Sequence, residues 1–338
     1  MADALTEILG ERAWLLLDGA TGTNLFAMGL QSGEAPELWN VEAPEKVRAL
    51  HDGFIAAGSD LILTNSFGGS AFRLKLHEAE DRVVELNRAA GEIARAAADA
   101  AGRRVVVAGS VGPTGEILEP VGSLSEADAV AAFEEQIRGL MAGGADVIWA
   151  ETISAEAEIR AASQAAANLG APFCATLSFD TAGRTMMGVT SEDWARLQAS
   201  LPARPVAYGA NCGTGASDLL RTVLGITAAD PGGVVIAKGN AGIPKFVDGH
   251  IHYDGTPELM ADYARLARDS GARLIGGCCG TGDAHLRAMR AALEAHTPGP
   301  RPDLDTIRAR IGEFSSASDG TEPAESGETR RARRRRRG

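Results

Sequence analysis

Three of the four cysteines stand where chemistry is possible. Cys212, Cys278 and Cys279 each follow a short apolar run and sit in a glycine-rich loop. The stretches Gly209-Ala210-Asn211-Cys212-Gly213-Thr214-Gly215 and Gly276-Gly277-Cys278-Cys279-Gly280-Thr281-Gly282 share one pattern, Gly-x-x-Cys-Gly-Thr-Gly. It pairs Cys212 with Cys279 and leaves Cys278 as an extra thiol. Glycines let the backbone approach closely, so the spacing suggests one metal held by three sulfurs. Three protein ligands with an open fourth position mark a catalytic zinc, whereas a structural zinc is closed by four. Redox thiols and simple packing remain the other readings of the same positions. Cys174, inside the apolar Pro172-Phe173-Cys174-Ala175-Thr176-Leu177, reads as a small core residue.

Elements that deliver these thiols follow from hydrophobic patterning. Short β-type runs at 14–17, 61–64, 104–108, 146–150, 173–177, 206–210, 234–237 and 274–277 alternate with helical patterns such as 81–100, 126–142, 155–167 and 257–270. Ser125, Ser154 and Thr256 are placed to cap helices, and Pro257 suits a first helical position. Eight such units over about 290 residues predict an α/β fold, a closed (β/α)8 TIM-type barrel. An open doubly wound sheet would more often show Gly-x-Gly-x-x-Gly after its first strand, which Asp18-Gly19-Ala20-Thr21-Gly22-Thr23 does not. In a barrel the chemistry gathers where strands end. Asp18, Asn65, Glu151, Asn211, Lys238, Asn240 and the cysteines all fall there. Asp18 and Glu151 could be an acid–base pair, a site for a substrate ammonium, or ordinary loop carboxylates. Lys238 could form a Schiff base, but nothing else supports aldol chemistry. His250 and His252 read as a surface loop, and His51 and His77 as structural.

Composition narrows the setting. The 338 residues carry a net charge of −12, yet seven arginines lie between Arg330 and Arg337, leaving −19 on the rest. Such a body is a poor partner for nucleic acid, whose affinity rests on cationic contacts to phosphate; only the arginine tail offers one. The expected organisation is a barrel over 1–298, a helical extension over 299–313 and a disordered tail over 314–338, so a single domain with a disordered C-terminal tail. No signal peptide and no membrane-spanning run is visible, and adjacent reduced cysteines suit the cytoplasm.

Together, Asp18-Gly19-Ala20-Thr21-Gly22-Thr23, Thr64-Asn65-Ser66-Phe67, Glu151-Thr152, Gly209-Ala210-Asn211-Cys212, Gly239-Asn240-Ala241-Gly242 and Gly276-Gly277-Cys278-Cys279-Gly280-Thr281 resemble the homocysteine S-methyltransferase family, from about residue 13 to 295. The resemblance implies a zinc barrel that methylates homocysteine to methionine, with Cys212, Cys278 and Cys279 as the metal ligands and no catalytic residue beyond that site. By the same resemblance Asp18 and Glu151 hold the homocysteine amino group, with backbone at Gly19 and Ala20, while Asn211 and Asn240 line the mouth. The donor is left open. Gly68-Gly69-Ser70 after Phe67, and Thr152 after Glu151, lack the aromatics of the betaine branch, where cation–π contacts would hold a quaternary ammonium. A stand-alone homocysteine module fed by a separate corrinoid protein is the expectation, with betaine or S-methylmethionine as alternative donors. A non-catalytic zinc- or thiol-binding subunit is the reading from another class. A zinc hydrolase fits three thiolates poorly.

Overall fold

A computed structural model describes residues 3–243, 245–247 and 250–320; for 245–247 and 250–252 only the backbone is described. The arginine run falls outside these residues. The barrel strands are β1 (Leu15–Leu16), β2 (Leu61–Leu63), β3 (Val106–Val111), β4 (Val147–Ile153), β5 (Phe173–Leu177), β6 (Ala207–Cys212) and β7 (Val235–Gly239). A small antiparallel hairpin, β8 (Lys245–Val247) and β9 (His250–His252), precedes the last barrel strand, β10 (Ala272–Gly277). His250 and His252, read as part of a surface loop, lie on the second strand of this hairpin. The eight barrel strands run parallel in the order β1-β10-β7-β6-β5-β4-β3-β2, each next to its neighbour in the chain of βα units. This is the (β/α)8 barrel.

Strand residues alternate between two environments, as the period of two demands. Leu15, Leu61, Leu63, Val106, Ala108, Val147, Trp149, Cys174, Ala207, Ile236 and Leu274 form one buried cluster inside the barrel. The intervening residues, among them Ile62, Val107, Ile148, Phe173, Ala175, Val235 and Ile275, join the larger cluster beneath the helices. An N-terminal helix, Ala4–Glu11, closes the floor by adding Leu5, Ile8 and Leu9 to the inner cluster. Its start is fixed by Asp3, whose carboxylate accepts from the Thr6 N–H at 2.9 Å.

Strands β1 and β2 make no regular ladder, and two aspartates help to join them. Asp60 N–H donates to Leu16 O (2.7 Å) while its carboxylate accepts from Leu16 N–H (3.0 Å). Higher up, the Asp18 carboxylate accepts from Leu63 N–H at 2.7 Å. Asp60 is neutralised by Arg12, Arg290 and Arg103.

Helix caps match expectation at Ser125, which accepts from Asp128 N–H, and at Thr256, followed by Pro257. Ser154 does not cap: the N-cap of helix Glu156–Leu169 is Ala155, without a side-chain cap bond, and Ser154 O accepts from Thr185 Oγ1 instead. After helix Leu304–Ile311 the chain packs back on the barrel. Phe314 stacks with the Arg221 guanidinium, and Ser315 N–H donates to Asp218. Residues 314–316 are thus held against helix Ala216–Ala229, and Asp319 and Gly320 lie against Gly183, so the stretch read as tail has packed residues at its start. No helix among the described residues is long and apolar enough to cross a membrane.

Candidate metal and substrate site

Strand β7 lies between β6 and β10, and its last residue, Gly239, is in register with Cys212 on one side and Gly277 on the other. That register brings the two cysteine loops together at the carboxyl end of the barrel. Both loops end identically: Cys212-Gly213-Thr214-Gly215 and Cys279-Gly280-Thr281-Gly282 each lead into a helix capped by the final glycine. Parity along β10 places Leu274, Gly276 and Cys278 on the inner side. Cys212 is turned by a left-handed backbone (φ 60°), and Gly213 and Gly280 also have positive φ (69° and 79°). A non-glycine residue rarely adopts that conformation, so the strain at Cys212 is held by its surroundings.

The sulfurs of Cys212, Cys278 and Cys279 lie within 4.8 Å of one another, with Cys212 Sγ and Cys279 Sγ 4.0 Å apart. A tetrahedral zinc with bonds of about 2.3 Å would set its sulfurs about 3.8 Å apart. The three thiols therefore fit one ion with little movement. The three thiols are coupled: hydrogen bonds from Cys212 and Cys278, with help from Tyr253, pull the Cys279 thiol below its ordinary range, while the neighbouring thiols and burial push Cys212 and Cys278 above it. Sulfurs this close favour the loss of a proton from the cluster, the electrostatic setting a cation needs.

Two asparagines fix the loops. Asn240 Oδ1 accepts from Cys279 N–H at 3.0 Å, and its Nδ2 donates to Gly213 O at 2.9 Å, so one side chain ties both cysteine loops. Asn211 Oδ1 accepts from Thr152 N–H (2.8 Å), and Asn211 Nδ2 donates to Thr152 Oγ1 (2.7 Å) and stands 3.9 Å from Cys278 Sγ. Both belong to the mouth, and their amide groups are largely spent on holding it.

Across the mouth, the inner layer above Trp149 and Ile236 holds Ser110, Glu151 and Lys238. Ser110 Oγ donates to Glu151 Oε1 at 2.5 Å. Burial pushes the Glu151 carboxyl up to about 7, against the pull of Lys238. Asp18 is fully buried at the β1–β2 seam, with Oδ1 3.3 Å from Lys238 Nζ. Burial alone would lower the Lys238 ammonium. Asp18, Cys278 and Glu151 outweigh it and hold the group above its ordinary range. Lys238 Nζ also donates to Gly19 O (3.1 Å), and Ala20 N–H donates to Thr281 O (3.0 Å). Lys238 is thus an ion-pair partner, which accounts for it without a Schiff base. Its place in the site was readable from strand parity, since Ile236 two residues earlier faces inward. Ser110 carried the same signal, two residues after the inward Ala108, whereas Tyr253 had none. Cys174 lies at the barrel floor, with its thiol raised by burial. His51 is buried without a partner for either ring nitrogen among the described residues, and burial lowers it to about 4, so it is a neutral core residue.

The chain is thus of one class: a parallel barrel with three thiols close enough to hold one metal ion and two buried carboxylates beside them. The family described as Homocysteine S-methyltransferase matches residues 15–293, and the chain belongs to it. It is therefore a methyltransferase. The chain is 31% identical over 307 residues to the methionine synthase of Mycobacterium tuberculosis, a match that covers 86% of this chain and 25% of that protein. The chain thus spans about a quarter of that relative's length. Among solved structures, the Escherichia coli homocysteine methyltransferase MmuM is similar in its metallated form, at TM-score 0.69 and 27% identity. That match covers 85% of this chain and 99% of the other. The oxidised form of MmuM matches at TM-score 0.69 and 28% identity, covering 86% and 99%.

Proposed function

We propose that the chain is a zinc-dependent homocysteine S-methyltransferase that makes methionine in the cytoplasm, with a methylated corrinoid protein as donor. The observation that carries the reading is the cluster of three sulfurs within 4.8 Å at the barrel mouth. Cys212, Cys278 and Cys279 would hold the ion and leave its fourth position to the substrate. When bound, zinc supplies a deprotonated homocysteine sulfur at neutral pH, where a free thiol is mostly protonated. The protein's own groups do the rest. Asn240 and Asn211 hold the loops that carry the thiols, and the carboxylates on the far side of the mouth, Asp18 and Glu151, receive the substrate ammonium. The sulfur lone pair forms the new S–CH3 bond while the donor keeps the electron pair of the bond that breaks.

Exposed apolar side chains favour a macromolecular donor. Phe67, Ile117, Val121, Met186, Met187 and Ile243 are 38–76% exposed and lie on loops after β2, β3, β5 and β7, all at the mouth end. Apolar side chains left exposed around one rim suit a surface that another protein covers. A small donor, betaine or S-methylmethionine, is the second reading. It draws on the likeness to MmuM, whose whole length this barrel nearly covers.

Zinc-loaded protein is tested with homocysteine and, in parallel, betaine, S-methylmethionine, free methylcobalamin and a methylated corrinoid protein. Methionine formed from the corrinoid donors alone is the expected result. Turnover with betaine or S-methylmethionine would replace the corrinoid reading by the second. A zinc-loaded protein that turns over none of them would defeat both.

A further inference from the structure

Cys212 keeps a left-handed backbone (φ 60°) that a non-glycine residue holds only where its surroundings impose it. Part of that restraint is close by: Gly213 N–H donates to Ser178 Oγ at 3.2 Å, and Gly213 O accepts from Asn240. The rest comes from the far end of the chain. Thr214, two residues after Cys212, donates its hydroxyl to Asp218 Oδ2 at 3.0 Å. Asp218 has no oxygen to spare. Its Oδ1 pairs with Arg221 at 2.7 Å, with both side chains 7% exposed, and its Oδ2 also accepts from Ser315 N–H at 3.0 Å. Arg221 gives its other terminal nitrogen to Ser316 O (2.8 Å) and lies 4.8 Å from the centre of the Phe314 ring. Ser217 Oγ donates to Gly312 O (2.7 Å), and Ser315 Oγ to Thr214 Oγ1 (3.1 Å). The segment ends on the loop after β5, where Gly183 (φ 81°) meets Gly320 (φ 87°) so closely that a Cβ on either would strike backbone of the opposing segment.

Resting on the proposed zinc site, we propose that Thr214 and the Asp218–Arg221 pair are positioning residues through which the C-terminal segment 312–320 holds Cys212 in its metal-binding turn. Helix Ala216–Ala229 is a firm base for such a strap, since Leu219, Leu220 and Val223 are buried beneath it. The strap and the cysteine loop hang on one carboxylate of that helix. With the strap in place Asp218 and Arg221 are shut away from water, where their attraction and the Thr214 bond are strongest. With the strap lifted the same groups face solvent, and the bond that holds the loop weakens.

Zinc affinity of the full chain, read by competition with a chelator, tests this in a double-mutant cycle. Phe314→Ala loosens the strap at a partly buried ring and touches no cysteine loop. Thr214→Val keeps the shape of the side chain and removes its bond to Asp218. Each should lower zinc affinity about tenfold, the worth of one hydrogen bond to a charged group. Phe314→Ala should cost little more once residue 214 lacks its hydroxyl, because the strap acts through that group. Thr214→Ser, which retains the hydroxyl, should bind zinc as wild type does. Unchanged affinity in folded Phe314→Ala protein, or losses that simply multiply in the double variant, would overturn the assignment. Wild-type protein gives an independent reading. A glutamate-specific protease can cut after Glu313, whose side chain is 79% exposed, only when the strap opens. Coupling between two sites is reciprocal, so zinc should slow that cut about tenfold relative to the cut after the exposed Glu116 in the loop after β3. Equal rates with and without zinc, or equal slowing at both sites, would overturn the assignment as well. Wild-type protein that takes up no zinc would instead overturn the proposed function, and the strap's role with it.

Discussion

The lumen of the barrel has two ends built by the same strands under the same alternation. At the floor, inward positions are Leu15, Leu61, Val106, Val147, Cys174, Ala207, Ile236 and Leu274, sealed by Leu5, Ile8 and Leu9 of the first helix. Two to four residues further along, the inward positions become Ser110, Glu151, Asn211, Lys238 and Cys278. The inward alternation carries through both layers, although the backbone turns left-handed at Thr152 and Cys212 and the β4–β5 register shifts between Ala150 and Ile153. The floor gains stability by removing apolar surface from water. The mouth buries charge and holds it with specific partners, which is costly unless each group is paired. Cysteine occurs at both ends, and its surroundings differ completely between them: Cys174 stands alone with its thiol raised by burial, while Cys279 lies within 4.8 Å of two further sulfurs whose hydrogen bonds pull its thiol down.

The largest test of this contrast is cysteine removal at each end. Cys279→Ala should abolish tight zinc binding, a loss well beyond the roughly 10–100-fold that removal of a supporting residue costs a metal site. Cys174→Ala should keep full zinc stoichiometry and lose only stability. Metal content after dialysis against a weak chelator reads both. Equal zinc retention by the two variants would remove the distinction. The complementary change at the floor is Leu274→Ala, which deletes a fully buried side chain between neighbouring strands. It should cost about 2–5 kcal/mol in denaturant unfolding while the folded protein still takes up one zinc.

How far this could be read from the chain differs between the two ends. The floor was legible, because strands of apolar residues between helical patterns are a local signal, and β5 falls on the expected 173–177. The cysteine pairing was legible too, since two copies of one loop sequence imply two copies of one local structure. What sequence could not show is which distant groups meet. Asn240 was expected to line the mouth, but its bonds reach back 27 residues to Gly213 and forward 39 to Cys279. The left-handed turn at Cys212 and the aspartate-closed seam are likewise products of tertiary contact, with no local pattern to announce them. The first helix is a different kind of omission. Leu5, Ile8 and Leu9 have helical spacing, but eight residues give too short a pattern to stand out.

Asn240→Ala sharpens the point that the mouth is held by long-range polar bonds. It leaves all three sulfurs and removes only the tie between their loops. Zinc affinity, measured by competition with a chromophoric chelator, should fall about 10–100-fold, with Cys212 and Cys279 still present. Unchanged affinity would mean that register alone positions the thiols.

The smallest effect concerns the charge of the mouth. Burial pushes Glu151 up to about 7, so near neutral pH its carboxyl is divided between protonated and ionised forms. Receiving an ammonium requires the ionised form, and the amino group of homocysteine stays protonated over this range. Affinity for homocysteine relative to 4-mercaptobutyrate, which keeps the thiol and carboxylate but lacks the ammonium, should therefore fall as pH drops through 7. About nine-tenths of the carboxyl is ionised at pH 8 and about one-tenth at pH 6, so the ratio should change about tenfold between them. Dividing by the desamino thiol cancels the titration of the sulfur and of its metal site, which both ligands share. Glu151→Gln should flatten the profile, because a neutral amide has nothing to titrate there. A wild-type ratio that stays constant from pH 6 to 8 would show that Glu151 does not receive the ammonium. The apolar floor offers no such titration, and Leu274→Ala should leave the profile in place while lowering stability.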